Sequence, residues 1–257
     1  MQKVKIKNRE GKEIAVIVEG EDSTKGLAFV MHGHGGFKEQ KHVETFAHAF
    51  LEKGFIVVRF DTGNTFGESY GRYEDASVTG SYQDLEDVID WASKQAWYRE
   101  PFALAGHSLG SMCISLYAEN HPEKVLALAP ISTVVSGVLG LETYSSAELK
   151  SWEETGWREQ TNESKPSFIK RIPWSYALDK NKYDILVNAF RLTMPVLLIV
   201  GDHDAPTPID HQRKFFDVLP GPKEIHIIKG APHTFRDPVH LEEIKGIFLK
   251  WISSWQK

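Results

Sequence analysis

The chain lacks the features that mark secreted, membrane-spanning or nucleic-acid-binding proteins. It has one cysteine, Cys113, in 257 residues, so no disulfide can form within the chain, and we expect a reducing, cytoplasmic setting. No apolar run approaches the roughly 20 residues that a membrane-spanning helix needs. The formal net charge of −5 provides no overall positive excess for nucleic acid or an anionic membrane. We therefore expect neither a membrane span nor a nucleic-acid partner.

Short apolar segments alternate with amphipathic ones along most of the chain. Near the N-terminus, the alternation of apolar residues from Val4 to Val18 predicts a hairpin of two half-exposed strands. Later apolar residues recur at helical spacing, as at Val43, Phe46 and Phe50. Strands buried on both faces are predicted at 26–31, 54–60, 101–106, 124–130, 194–201 and 223–230. This order predicts an α/β fold with a mostly parallel central sheet, flanking helices and right-handed crossovers.

One segment, residues 131–193, interrupts this alternation. It is polar and too long for a single crossover, and a loop of that length without structure of its own is unusual in a compact domain. We therefore predict an α/β core formed by residues 1–130 and 194–257, with residues 131–193 inserted as a cap or lid. The cap contains tryptophans that could line a substrate pocket or pack within the cap itself: Trp152, Trp157 and Trp174.

The strongest chemical motif is Gly-His-Ser-Leu-Gly at residues 106–110. It lies between a predicted strand and a predicted helix, the context in which G-x-S-x-G forms a tight turn that exposes a nucleophilic serine. Glycine is needed on both sides because a Cβ there would meet neighbouring backbone. Ser108 would stand at the N-terminus of the helix, where free N–H groups favour a developing negative charge. The pattern also occurs by chance, so a turn without chemical function is the alternative interpretation.

A serine nucleophile needs a base, and the base needs an acid to orient it. In sites of this type the order along the chain is serine, then acid, then histidine, each in a loop after a strand. Asp204 follows the run 194–201 and His233 follows the run 223–230, so we predict that they complete a triad with Ser108. Asp202 directly follows the strand and is more typical of a turn. Other histidines are predicted in a strand or near the last helix and favour packing or surface positions: His226 and His240.

The stretch FVMHGHGGFK, residues 29–38, permits a metal-binding interpretation because two histidines stand one residue apart. A metallo-β-lactamase-type site would continue H-x-H-x-D-H, but Gly36 and Phe37 occupy the positions of the Asp and the last His. A second group of acidic and histidine residues has a spacing that matches no common ligand set: Asp202, His203, Asp204, Asp210 and His211. We therefore expect no metal and no other cofactor.

The same stretch also permits an anion-binding interpretation, which we prefer. A glycine-rich loop after the third strand is where this arrangement supplies one donor to an oxyanion. We predict that the backbone N–H groups of His34 and Leu109 form the oxyanion hole. The rings of His32 and His34 would then shape the loop.

Taken in order, the motifs MHGHGG, FDTGNTFGES, GHSLG, GDHD and GAPH resemble those of α/β-hydrolase-fold serine esterases. With its mid-chain cap, the chain is most similar to the cinnamoyl/feruloyl-esterase-like group. The resemblance covers nearly the whole chain except the cap, and it implies hydrolysis of carboxylic esters through an acyl-enzyme, without cofactor or metal. The commoner D-x-R-G-x-G-x-S pattern is broken at Asn64, in a loop that borders the pocket, so the acyl preference stays open.

These observations predict a serine carboxylesterase that acts on small-molecule esters, either short-chain or aromatic hydroxycinnamoyl esters. Ser108 would attack the carbonyl, His233 would take and return the proton, and Asp204 would hold the imidazole. A thioesterase, an amidase or a peptidase could use the same triad. A non-catalytic α/β-hydrolase-like receptor or scaffold is a further alternative. The oligomeric state stays open, with a homodimer among the alternatives.

Overall fold

The computed structural model describes residues 1–23, 25–162 and 165–256, with the side chains of 162 and 165–168 outside the description. The strands are β1 (Gln2–Lys7), β2 (Glu13–Glu19), β3 (Gly26–Met31), β4 (Phe55–Phe60), β5 (Phe102–His107), β6 (Val125–Ile131), β7 (Trp157–Asn162), β8 (Lys165–Pro173), β9 (Val196–His203) and β10 (Lys223–Pro232). The helices are α1 (Lys41–Glu52), α2 (Val78–Ala92), α3 (Leu109–Asn120), α4 (Gly137–Glu142), α5 (Ser146–Thr155), α6 (Trp174–Lys180), α7 (Ile209–Val218) and α8 (Pro238–Trp255). Among the residues so described, no helix is both long and apolar enough to cross a membrane.

The main sheet has the strand order β1-β2-β4-β3-β5-β6-β9-β10. β2 pairs antiparallel with β1 and β4, and the remaining neighbours are parallel. The predicted mostly parallel α/β sheet is therefore confirmed. The six predicted runs match β3, β4, β5, β6, β9 and β10 to within two residues at each end.

Each face of the parallel strands packs against its own layer of helices. Along β3, Phe29 and Met31 belong to one apolar core, whereas Ala28 and Val30 belong to the other. This alternation arises because successive side chains of a strand point to opposite faces. Every residue of β3, β4 and β5 is buried, which explains why these strands read as continuous apolar runs.

The N-terminal hairpin differs in part from its prediction. β1 is half-exposed as expected, but β2 is buried from Ile14 to Val18, so the prediction of a half-exposed second strand is wrong. The physical reason is the position of β2 inside the sheet, between β1 and β4. A strand with one solvated face has a sequence of alternating polarity. The β2 sequence EIAVIVE is instead apolar at every position between its two end residues, as expected for a strand buried on both faces.

The cap segment, residues 131–193, has secondary structure of its own after the end of β6. It contains α4, α5, the antiparallel hairpin β7–β8 and α6. Trp152 packs within it: the ring is buried against Trp174, and its Nε1 donates a hydrogen bond to the Ile172 carbonyl at 2.9 Å. Trp157 is exposed under the guanidinium of Arg171. The division into a core and a separate cap stays a prediction.

Candidate active site

Ser108 stands in a tight turn between β5 and α3. Its backbone has φ 56° and ψ −115°, a region that residues with a Cβ rarely occupy. The turn is held by the Ser108 N–H, which donates to the Ile131 carbonyl at 2.9 Å. A Cβ on Gly110 would lie 2.3 Å from the His32 carbonyl oxygen, so the helix can approach β3 only with glycine there. The predicted strand–turn–helix arrangement around the serine is present.

Three residues from distant parts of the sequence form a continuous hydrogen-bonded chain. His233 Nε2 lies 2.9 Å from Ser108 Oγ, and His233 Nδ1 lies 3.0 Å from each carboxylate oxygen of Asp204. β5, β9 and β10 run parallel in one sheet, so the loops after them meet at one edge. The Asp204 side chain is fully buried, whereas that of His233 is 21% exposed. The imidazole thus connects a buried carboxylate with a serine hydroxyl at the surface of the site.

The environment of Asp204 keeps its carboxylate charged. Burial raises the pKa of Asp204. The hydrogen bond and the charge of His233, together with the Thr207 N–H, lower this pKa by more than burial raises it, so the net pKa lies below its usual value. The Thr207 N–H donates to Oδ1 at 2.9 Å and its hydroxyl donates to Oδ2 at 2.8 Å. Sequence reasoning missed Thr207. The D-x-x-T spacing, in which an Asp side chain accepts the N–H three residues on, is the signal that points to it.

The residues rejected as triad members lie in other surroundings. Asp202 is exposed and lies within β9, so the prediction that it is a turn residue is wrong, and its Oδ1 accepts the N–H of Gly230 in the neighbouring strand β10 at 2.6 Å. His226 pairs with Glu224 at 3.1 Å on the surface of β10. His240 lies at the start of α8, with Nε2 3.2 Å from the Lys229 carbonyl. These three side chains therefore take part in local contacts away from Ser108.

Two backbone segments flank the serine at the predicted oxyanion hole. Leu109 is the first residue of α3, so its N–H is one of the four that a helix leaves without an intrahelical acceptor. On the other side, Gly36 N–H donates to the Gly33 carbonyl at 2.9 Å and Gly35 has φ 65°, which defines a turn that does not use the His34 N–H. A Cβ on Gly33 would lie 2.9 Å from Ser108 Cβ, so this loop touches the nucleophile.

The two histidine rings of the loop have separate environments. His32 is buried, with Nδ1 2.7 Å from the Gly33 carbonyl and Nε2 3.0 Å from the Thr62 nitrogen, so it joins two loops. The His34 ring stacks between Tyr73 at 4.7 Å and Tyr176 at 4.3 Å. Burial first, and then the positive charges of nearby cations of the cap segment, together lower the pKa of His34 to about 3. The ring is therefore uncharged at neutral pH.

The residues considered as metal ligands are not gathered into a common site. Within residues 1–23, 25–162 and 165–256, no group of three or more His, Cys, Asp or Glu side chains is placed to hold a metal ion. Asp204 faces His233, and Asp202 accepts the N–H of Gly230 in β10. Asp210 and His211 lie in the first turn of α7.

A surface cavity of about 190 Å³ lies elsewhere on the molecule, between the C-terminal ends of α2 and α3. Tyr98, four residues before β5, and Lys124, directly before β6, line it. It therefore opens at the sheet edge opposite to Ser108, which follows the carboxyl end of β5. The candidate active site is independent of this cavity.

Solved structures share this architecture along their full length. Est1E from Butyrivibrio proteoclasticus, with ferulic acid bound, matches with a TM-score of 0.83 and 20% identity over 99% of each chain. Alpha/beta hydrolase domain-containing protein 10 from mouse matches with a TM-score of 0.82 and 20% identity, also over 99% of each chain. The predicted α/β-hydrolase fold is confirmed.

Sequence comparison identifies the family within this fold. The chain is 25% identical to a 31.7 kDa Escherichia coli protein from the traX-finO intergenic region, over 88% of this chain and 89% of that protein. It is also 25% identical to the mitochondrial palmitoyl-protein thioesterase ABHD10 of Mus musculus, over 85% of this chain and 72% of that protein. The family model described as X-Pro dipeptidyl-peptidase (S15 family) matches residues 23–171, more than half of the chain. The chain therefore belongs to this family of α/β hydrolases.

Proposed function

We propose that this protein is a serine hydrolase that cleaves carboxylic esters of small molecules, with thioesters as the second candidate. The observation that carries the proposal is the hydrogen-bonded chain from Ser108 through His233 to Asp204, with distances of 2.9 and 3.0 Å. A serine alone is a weak nucleophile at neutral pH, and an adjacent imidazole held by a carboxylate is the arrangement that activates it.

In the proposed mechanism, Ser108 Oγ attacks the carbonyl carbon while its proton passes to His233 Nε2. The charge that develops on the carbonyl oxygen is stabilised by the N–H groups of His34 and Leu109. His233 then gives the proton to the leaving alcohol or thiol, and the acyl group stays on Ser108. Water attacks this acyl-enzyme with His233 again as the base, which releases the acid and restores the serine.

The relatives support an ester or a thioester more than a peptide. Est1E was solved with ferulic acid, and ABHD10 is named a palmitoyl-protein thioesterase. A dipeptidyl-peptidase substrate presents a free N-terminal ammonium group, which an acidic side chain would have to bind. The charged groups that act most strongly on His34 are instead cations of the cap segment: Lys170, Lys180 and Arg158. A cytoplasmic location stays a prediction from the single cysteine.

The direct test replaces the nucleophile. Ser108→Ala should abolish both hydrolysis of 4-nitrophenyl acetate and covalent labelling by a fluorophosphonate probe, with the folded structure retained by circular dichroism. Ser253→Ala is the matched control, because this serine is exposed on α8, and it should behave as wild type. Near-wild-type turnover by Ser108→Ala would remove Ser108 as the nucleophile. A wild-type protein that is neither labelled nor active on esters or thioesters would support the receptor alternative.

A further inference from the structure

Four rings from separate parts of the chain form one stack beside the serine. His34 lies in its middle, with ring centres 4.7 Å from Tyr73 and 4.3 Å from Tyr176. Phe66 continues the stack beyond Tyr73, at 4.7 Å. The interplanar angles are 18°, 13° and 14°, so neighbouring rings are nearly parallel. The His34 ring is therefore covered on one face by Tyr73 and on the other by Tyr176, a residue of the cap helix α6.

The His34 side chain is held firmly in this stack. Tyr73 and Tyr176 are both buried, and the Tyr73 hydroxyl lies 3.4 Å from His34 Nδ1. A Cβ on Gly35 would lie 2.6 Å from the Tyr73 ring, so this tyrosine also presses on the residue that follows His34. Stacked aromatic pairs contribute about 0.5–1.5 kcal/mol each beyond the area they bury. The ring can turn only by losing both stacking contacts.

The backbone around His34 has few other means of being held. Its neighbours in the chain are Gly33 and Gly35, which have no side chain to pack, and Gly35 has φ 65°. The N–H of His34 is the predicted oxyanion donor, and such a donor acts only within about 2.7–3.1 Å of the oxygen that becomes charged. A misplacement of about 1 Å costs about 10²-fold in rate. The ring of His34 is thus the anchor available at the position where precision matters.

Tyr176 can fix this ring because α6 is itself attached to the core. Asp179, three residues further along α6, accepts the Thr79 N–H at 2.9 Å and the Thr79 hydroxyl at 2.7 Å, in the first turn of α2. Burial raises the pKa of Asp179, but the hydrogen bonds from Thr79 and Lys182 lower it by more, which keeps the carboxylate charged. A negative charge is favourable at the N-terminus of a helix. The cap helix therefore holds a fixed position against α2.

We propose that Tyr176, together with Tyr73, is a positioning residue for the oxyanion hole. The two rings hold the ring of His34, and the fixed ring keeps the backbone N–H of His34 directed at the reacting carbonyl oxygen. The inference rests on the proposed function, because it concerns how the same site stabilises charge. The cap then contributes to the chemical step with every acyl group. A residue that only lined the acyl pocket would have an effect that varies with the acyl group.

The first test removes the ring of Tyr176 and then restores it. Tyr176→Leu should lower kcat about tenfold to a hundredfold, by the same factor for 4-nitrophenyl acetate and 4-nitrophenyl hexanoate. KM should stay within about threefold, because acylation and deacylation both pass through an oxyanion and slow together. Tyr176→Phe keeps the ring and should keep most of kcat. A loss confined to the hexanoate, or an equal loss in both variants, would overturn the proposal.

A double-mutant cycle then shows whether Tyr176 acts through His34. His34→Ala keeps the backbone N–H and removes the ring, so it should lower kcat about as much as Tyr176→Leu does. In the His34→Ala background, Tyr176→Leu should cost less than about twofold more, because the contact is already lost. A full additional loss would mean that Tyr176 acts elsewhere. If Tyr176→Leu does not fold, kcat lost in His34→Ala and recovered in His34→Phe supports the proposal, and equal kcat in these two variants overturns it.

The matched control is Leu178→Ala, which changes an exposed side chain of the same helix, two residues beyond Tyr176. It should keep the kcat and KM of wild type. The results also separate this inference from the proposed function. Hydrolysis that depends on Ser108 and is unchanged in Tyr176→Leu would leave the hydrolase intact and overturn the positioning role. Absence of ester and thioester hydrolysis in wild type would overturn the proposed function, and the positioning role with it.

Discussion

At the residue scale, the carboxylate of Asp204 is held by more than its partner in the triad. Thr207 donates to both oxygens, through its N–H and its hydroxyl, and the imidazole of His233 lies against the same two atoms. An amide at this position would place an NH₂ group against one of these donors. Asp202 differs, because it is exposed and uses Oδ1 to accept one N–H. An Asn keeps that acceptor.

We therefore expect the same substitution to cause a severe loss of activity at Asp204 and a mild one at Asp202. Asp204→Asn should lower kcat by several orders of magnitude, about 10⁴-fold, because the imidazole loses the partner that fixes its tautomer and stabilises its charge. Asp202→Asn should cost less than about tenfold, since its hydrogen bond with the Gly230 N–H survives. Both are measured with 4-nitrophenyl acetate, after thermal unfolding has verified the fold. A severe loss in Asp202→Asn with a mild one in Asp204→Asn would reassign the acid.

The order Ser108, Asp204, His233 could be predicted because each residue follows an apolar run that becomes a strand of one sheet. Thr207 was not predicted, because its importance depends on the conformation of one loop. The stacking of Tyr176 on His34 was not predicted either. It depends on how the cap segment packs, and a polar sequence without clear periodicity carries little information about that packing.

At the element scale, the strands and helices that could be predicted are those in which the pattern of apolar residues matches the pattern of burial. The strands covered on both faces were found to within two residues, whereas α7, with the sequence IDHQRKFFDV, was missed. Only Gln212 and Phe215 of that helix are buried, so it carries little apolar signal. The hairpin β7–β8 was missed for the same reason. The face that holds the buried Ile172 also carries Arg158 and Lys170, where a strand pattern would show apolar residues.

Two helical glycines permit a matched test of how α3 positions the serine. Gly110→Ala should destabilise the protein by roughly 1–3 kcal/mol, the usual cost of overpacking, since the new Cβ would lie 2.3 Å from the His32 carbonyl. It should also reduce turnover, because this contact joins the start of α3, directly after Ser108, to the loop that contains His34. Gly246→Ala in α8 meets no atom within 4 Å, so it should stabilise the protein by up to about 1 kcal/mol. Thermal unfolding of both variants checks the signs, and the same sign for both would contradict the packing argument.

At the scale of the whole molecule, buried ionisable groups set how stability varies with pH. Burial lowers the pKa of His34 and His107 to about 3, so both stay neutral in the folded protein at pH values where the unfolded chain binds protons. Their contribution makes stability rise with pH up to about 6.5. Glu119 acts in the opposite direction. It is 2% exposed on α3, and burial first, then the charge of Asp184, raises its pKa to about 8, against a smaller opposite effect of Arg191.

The carboxyl of Glu119 should therefore make the protein less stable at alkaline pH. Between pH 4.5 and about 8 the folded state keeps the proton that the unfolded chain has released, so the folded state binds more protons and the free energy of unfolding falls as pH rises. The loss is on the order of a few kcal/mol.

Glu119→Gln removes this titration while keeping a neutral group of the same shape. In urea unfolding, the variant's stability relative to wild type should increase by that amount from pH 5 to pH 8, whereas for the exposed control Glu123→Gln the difference should stay constant. A difference for Glu119→Gln that does not change with pH would show that the carboxyl is already ionised in the folded protein, and a difference that shrinks toward pH 8 would reverse the sign of the argument.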